Sequence, residues 1–256
     1  MAATYLDRIL EHHRARAAVD VRPVDRLIDE ALAAPPTRGF RDALAGRFGV
    51  IAEIKRRSPS KGDLNVALDP GEMAATYERG GAACLSVLTD EAHFGGSVAD
   101  LQHARAACAL PVLRKDFTVS ERDVLDARIM GADCVLLIAA ALDAGELAAL
   151  HALAFDVGLD VLVEIHDEHE LEHALAADAT LIGVNQRDLV TFRVDHDRAV
   201  RMAGVIPDHA VKVAESGVRD GDDAASLRRA GYDAVLVGES IVTSADPASA
   251  IATLIG

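Results

Sequence analysis

From Gly49 onward, short apolar runs recur along the chain, separated by segments of helical pattern. The strand candidates are Val50–Ile54, Cys84–Leu88, Val112–Leu113, Cys134–Ile138, Asp160–Val163, Leu181–Val184, Val211–Val213 and Ala234–Val237. They are β-branched or leucine-rich and do not alternate with polar residues, which is the pattern of strands buried on both faces. Helix starts between them carry cap signals. Asp69-Pro70 and Asp246-Pro247 each supply an N-cap and a proline at the first helical position. Ser97-x-x-Asp100, Asp143-x-x-Glu146 and Asp167-x-x-Glu170 read as capping boxes. A weak repeat runs through Gly81-Ala-Ala-Cys, Gly131-Ala-Asp-Cys and Gly231-Tyr-Asp-Ala: a helix-stopping glycine, two residues, then a strand. Such alternation implies parallel pairing through right-handed crossovers. Eight units in about 210 residues predict a closed (β/α)8 TIM barrel, an α/β fold, rather than an open doubly wound sheet. No GxGxxG follows the first strand, which weakens a dinucleotide-binding reading.

Residues 4–18 and 24–33 read as amphipathic helices, with Leu6, Ile9 and Leu10 on one side of the first. Ala34 to Gly39 is a turn, and Phe40 to Leu44 another short helix. The expected organisation is one domain, with residues 1–48 a helical extension and 49–256 the barrel. A tail, a lid and a dimerisation arm are all open readings of that extension.

With 256 residues, 50% of them hydrophobic, the chain supports one large core. Its net charge of −15 argues against nucleic acid and anionic membrane surfaces as partners, but not against a small anion met by locally gathered cations. Cys84, Cys108 and Cys134 have neither disulfide nor zinc spacing and suit a reducing compartment. No secretory segment and no apolar run near the roughly 18 residues of a membrane span is visible, so a cytoplasmic protein is expected.

In a barrel of this kind, chemistry sits at the C-terminal ends of the strands. Those ends read Glu53 and Lys55, Leu113-Arg-Lys-Asp-Phe117, Glu164, Asn185-Gln-Arg187, Glu215-Ser-Gly217 and Gly238-Glu-Ser240. Charged residues end many strands, so each alone reads equally well as solvation. Their convergence on one rim does not, and the lower rim shows no comparable charge cluster. Glu53, Glu164 and Glu215 with Lys55 and Lys115 would push one another's pKa values apart, producing an acid and a base near neutral pH. Arg187, the end of strand seven and Gly238 are placed to bind phosphate. His166-x-x-His169 is the nearest thing to a metal pair but is read as a solvated helix face.

The stretches Ile51-Ala-Glu-Ile-Lys-Arg-Arg-Ser-Pro-Ser-Lys-Gly62, Phe94-Gly-Gly-Ser97, Leu113-Arg-Lys-Asp-Phe117, Gly183-Val-Asn-Gln-Arg-Asp-Leu189 and Val213-Ala-Glu-Ser-Gly217 strongly resemble the indole-3-glycerol phosphate synthase family of tryptophan biosynthesis. The resemblance implies a carboxy-lyase that converts 1-(2-carboxyphenylamino)-1-deoxyribulose 5-phosphate to indole-3-glycerol phosphate, with no cofactor or metal. It makes Lys115 the acid of ring closure, oriented by Glu53 and Asn185. Glu164 and Lys55 become the pair for dehydration, and Glu215 a partner of the substrate hydroxyls. Phosphate would fall to Ser58 or Lys55, Arg187, Ser216, Gly217, Gly238 and the backbone at Glu239. The aromatic ring would meet Phe94, Phe117, Leu136 and Leu189. It also implies a lid or substrate-contact role for Tyr5–Leu44. Where relatives carry Pro-Tyr-Gln after Phe117, this chain has Glu121-Arg-Asp123, expected to open a helix at the periphery. A phosphoribosylanthranilate isomerase-like barrel and a non-catalytic phosphometabolite-binding barrel are the alternatives. The expected state is a monomer or weak homodimer.

Overall fold

The computed structural model describes residues 4–188 and 190–256. The strands Gly49–Ile54, Cys84–Leu88, Val112–Lys115, Cys134–Ile138, Asp160–Ile165, Leu181–Asn185, Val211–Glu215 and Ala234–Val237 close into one parallel barrel, each pairing with the next and the last with the first. Nearly every residue in them is buried, as strands covered by helices outside and side chains inside must be. Several strands run further than their apolar pattern. The third continues through Arg114 and Lys115, the fifth to Ile165 and the seventh to Glu215. Alternation along the ladder accounts for the charge. Arg114 points outward, where it donates to Asp116 at 2.8 Å and to the Asp123 carbonyl at 2.9 Å, while Lys115 points in.

The caps form with two differences. Asp69 and Asp143 cap as expected, and Asp143 and Glu146 satisfy each other's backbone N–H groups. Ser97 and Asp167 each accept the N–H three residues on, but the return half of each box is missing. Asp100 is held instead by Arg56, and Glu170 by His166. Both carboxylates met a stronger, partly buried donor.

The repeat has a structural purpose at its third position. Gly81, Gly131 and Gly231 take φ of 88°, 97° and 99°, left-handed values that turn each helix back into the sheet. Two residues later, Asp133 and Asp233 donate their N–H to the Val112 and Lys212 carbonyls, and their carboxylates accept the N–H of the same residues at 2.7 and 2.8 Å. Asp133, fully buried, also receives the Arg105 guanidinium at 2.5 Å and the Arg38 N–H at 2.8 Å. Asp160 receives the Arg41 N–H at 3.0 Å. The lower rim therefore does carry a charge cluster, contrary to the sequence expectation. Unpaired N–H groups at the strand starts require acceptors there.

That cluster secures the N-terminal extension, which runs the height of the barrel. The helix Tyr5–Val19 lies at the mouth, and Val24–Ala33 packs beside Glu121–Ile129. Phe40 and Leu44, both fully buried, lie against the starts of the first two strands. Arg14 meets Glu146 at 2.8 Å, Arg16 meets Asp123 at 2.7 Å, and Arg22 meets Asp126 at 2.8 Å. Glu121-Arg-Asp123 is thus less peripheral than expected, since Asp123 is buried and anchors the extension. Among the described residues, no helix is long and apolar enough to cross a membrane.

Asp133→Ala removes the acceptor shared by Arg38, Arg105 and Val112. Stability should fall by about 3 kcal/mol, because buried donors lose their partner. Chemical denaturation of the two proteins at matched pH checks this.

Candidate active site

A cavity of about 590 Å³ opens at the C-terminal mouth of the barrel. Parallel register sets its walls, with Leu88 beside Lys115, Ile138 beside Glu164 and Asn185 beside Glu215. Apart from Leu189, which lies outside the described residues, every residue given a catalytic or substrate-binding role by the family resemblance lines this cavity.

Charge is concentrated at the base. Lys55, one residue past the end of the first strand, keeps the strand's alternation, and its Nζ sits 2.5 Å from Glu53 Oε1. Lys115 Nζ lies 3.5 Å from Glu164 Oε2, and Asn185 Nδ2 donates to Glu164 Oε1 at 3.0 Å. Asn185 in turn accepts the Arg187 N–H at 2.9 Å, so the sixth strand's end is locked to the fifth through one amide. Glu215 completes the ring; it is buried, and its Oε1 has no hydrogen-bond partner among the described residues.

The electrostatics separate these groups. Burial pushes the Glu215 carboxyl well above the usual range, and the Glu164 charge pushes it further. Burial would raise Glu164 too, but Lys115, His166 and the Asn185 amide outweigh it, and its pKa is lowered. Burial works against charge on Lys115, yet Glu164, Glu215 and Glu53 reverse the effect and raise its pKa. The cluster therefore presents a carboxylate, a carboxylic acid and an ammonium group side by side.

Two glycines make the arrangement possible. A Cβ on Gly183 would overlap Glu215 Oε1, and one on Gly238 would overlap Glu53 Oε1. At the rim of strand seven, Ser216 and Gly217 take φ of 64° and 77°, with the Gln186 amide donating to the Ser216 carbonyl at 2.8 Å. A left-handed serine costs on the order of 1–3 kcal/mol, and such strain collects at functional loops. Lys61, at the tip of the small hairpin Arg57–Ser58/Gly62–Asp63, reaches across the mouth to Glu239 at 3.2 Å. The Arg187 guanidinium donates to the Phe192 carbonyl at 3.2 Å.

The roof belongs to the extension, where Tyr5, Leu6 and Ile9 line the cavity. Tyr5 packs edge-on against Phe192 at 5.3 Å. Phe117 and Phe94, with ring centroids 6.3 Å apart, form an apolar wall. His13, which sequence reasoning passed over, is buried and bonds Asp90 Oδ2 at 2.9 Å. The signal was present, because His13 follows Ile9 by four residues on the buried face. His13, Asp90 and His93 are the one group among the described residues whose ligand atoms converge within metal-binding reach. Asp90 is already occupied there, by both imidazoles and by the N–H groups of His93 and Phe94.

His166 also departs from expectation. It precedes the helix Glu168–Ala176, turns toward the cluster and comes 3.8 Å from Glu164, whereas His169 is exposed. Cys84 and Cys134 are buried in strands, where burial pushes both thiols up.

Fold and site together define a (β/α)8 barrel enzyme with a buried acid–base cluster. The chain belongs to the indole-3-glycerol phosphate synthase family, whose model matches residues 6–254. It is 48% identical to an indole-3-glycerol phosphate synthase of a Nocardioides species, over 100% of this chain and 96% of that protein. It is 51% identical to indole-3-glycerol phosphate synthase 2 of Streptomyces coelicolor, over 92% of each chain. The fold also matches N-acetylmannosamine-6-phosphate 2-epimerase from Clostridium perfringens, with a TM-score of 0.62 over 78% of this chain and 89% of that one, at 14% identity.

Two expectations follow from the geometry. Gly238→Ala should displace Glu53 and lower kcat by about a hundredfold while the far-ultraviolet circular dichroism stays unchanged. Glu215 keeps its proton in the folded state where an unfolded glutamate, near 4.5, has lost it. Its contribution to stability therefore declines as pH rises from that value. Glu215→Gln should be more stable than the parent near neutral pH, by a margin that shrinks toward the ordinary glutamate pKa, as thermal melts across pH would show.

Proposed function

We propose that this chain converts 1-(2-carboxyphenylamino)-1-deoxyribulose 5-phosphate to indole-3-glycerol phosphate, releasing CO2 and water. The observation that carries this reading is the buried Lys115–Glu164–Glu215 cluster, which holds an ammonium group, a carboxylate and a carboxylic acid within one cavity. Ring closure forms a carbon–carbon bond onto the substrate's carbonyl and develops charge on its oxygen. Lys115 supplies the proton there, oriented through Glu164, Glu53 and Asn185. Loss of CO2 then uses the electron sink that ring closure has created in the substrate itself. In dehydration, Glu164 takes the proton from the ring carbon and Lys55 protonates the departing hydroxyl. The raised pKa of Glu215 supports a role as a neutral hydrogen-bond donor to a substrate hydroxyl.

The phosphate is assigned to the left-handed turn at Ser216 and Gly217, the backbone at Gly238 and Glu239, and the side chains of Ser58 and Arg187. Phe94, Phe117 and Leu136 form the slot for the aromatic ring. The helix Tyr5–Val19 acts as a lid, a role supported by Tyr5, Leu6 and Ile9 in the cavity roof.

The test follows product fluorescence from the carboxyphenylamino deoxyribulose phosphate. Lys115→Met should lower turnover by about a thousandfold while substrate still binds. Turnover at the parent rate in that variant would remove Lys115 from the acid role. Absence of product from the parent protein would refute the reading.

A further inference from the structure

His166 has no part in the steps above, yet it is fastened into the same cluster. It follows the last residue of the fifth strand and precedes Asp167, the N-cap of the next helix. The Glu170 carboxylate binds it twice, accepting its backbone N–H at 2.7 Å and meeting Nδ1 at 3.0 Å. That double contact fixes the ring plane and puts a hydrogen on Nδ1. Nε2 is thereby turned inward, where it is buried, has no hydrogen-bond partner among the described residues and lies 3.8 Å from Glu164 Oε1. A buried polar atom left unpaired in this way carries a cost that an ordinary fold avoids.

We propose that His166, braced by Glu170, is a positioning residue for the reaction, holding the Glu164 carboxylate ionised and oriented as the base. The inference rests on the role of Glu164 given above. Its logic comes from the order of proton transfers. Lys115 is the cation nearest Glu164, and when Lys115 gives its proton to the substrate oxygen that counter-charge disappears. Glu164 would then stand against Glu215 in a buried site with its nearest counter-charge gone and only the neutral Asn185 amide still donating to it. The imidazolium, 3.8 Å away, is then the cation nearest to it. The charged groups acting on His166 are consistent with this. Glu170 and Glu164 outweigh burial and the opposing Arg198 charge, and its pKa lies above the ordinary histidine value.

The experiment combines a nitrogen-15 NMR titration of the histidines with kcat–pH profiles of the parent, His166→Gln, Glu170→Gln and Glu164→Gln. In the parent, His166 should titrate above 6.5, and Glu170→Gln should lower that value. In His166→Gln and Glu170→Gln, kcat should fall by about tenfold, KM should hold, and the acidic limb should move up by about one pH unit. The direction follows because a carboxylate deprived of a neighbouring cation protonates more readily as pH falls. Profiles that superimpose on the parent after scaling would overturn the inference and leave His166 a packing residue. Substantial turnover in Glu164→Gln would instead overturn the role of Glu164. Glu170→Gln, on the first turn of a helix, keeps the test decisive if His166→Gln does not fold.

Discussion

The structure depends on burying opposite charges together where a barrel has room for few side chains. Glu164 is 1% exposed, and its partner Lys115 comes from a strand two places away in the barrel. Neither could be ionised there alone, because desolvating a single charge costs several kcal/mol. Each strand end is therefore chosen with its neighbours. The carboxylate requires the ammonium group and the Asn185 amide, and burial, with the Glu164 charge behind it, pushes the Glu215 carboxyl upward. Gly183 and Gly238 belong to the same constraint, since the carboxylates occupy the space their side chains would need.

A second network governs the opposite rim. Asp133, Asp160 and Asp233 receive backbone N–H groups at the strand starts, and through Arg38 and Arg41 they hold the crossing segment of the extension. The two rims divide labour as this fold commonly does, with chemistry above and stability below. The extension touches both, so the helix that roofs the cavity is tied through the same segment to the stabilising rim.

Much of this was legible in the chain. The eight apolar runs, the proline-marked helix starts and the glycine grammar identified the barrel, because strands buried on both faces leave a continuous apolar signature. The rim residues Glu53, Lys55, Lys115, Glu164, Asn185 and Glu215 were legible for the same reason, as charged or amide groups at the ends of apolar runs. What escaped were groups whose partners are distant in sequence. Asp133 reads as a polar residue before a strand, and only the fold brings Arg38 and Arg105 to it. His13 reads as one of a pair on an amphipathic helix, and its partner Asp90 is 77 residues away. His166 reads as a solvated helix start until the barrel's curvature aims it inward. Local pattern identifies which face is buried, but not what polar partner waits there.

The extension has a consequence for how the protein is made. Its first helix is fastened to Glu146, its middle to Asp133, and Arg41 donates to the Thr180 carbonyl. These partners lie 132, 95 and 139 residues downstream. At ribosomal speeds of about 5–20 residues per second, that is a delay on the order of ten seconds. For most of that interval Leu27, buried in the finished molecule, lacks the helix Glu121–Ile129 that its own helix packs beside. A segment made before its partners must dock late, so this part of the nascent chain stays apolar and uncovered until the barrel exists to receive it.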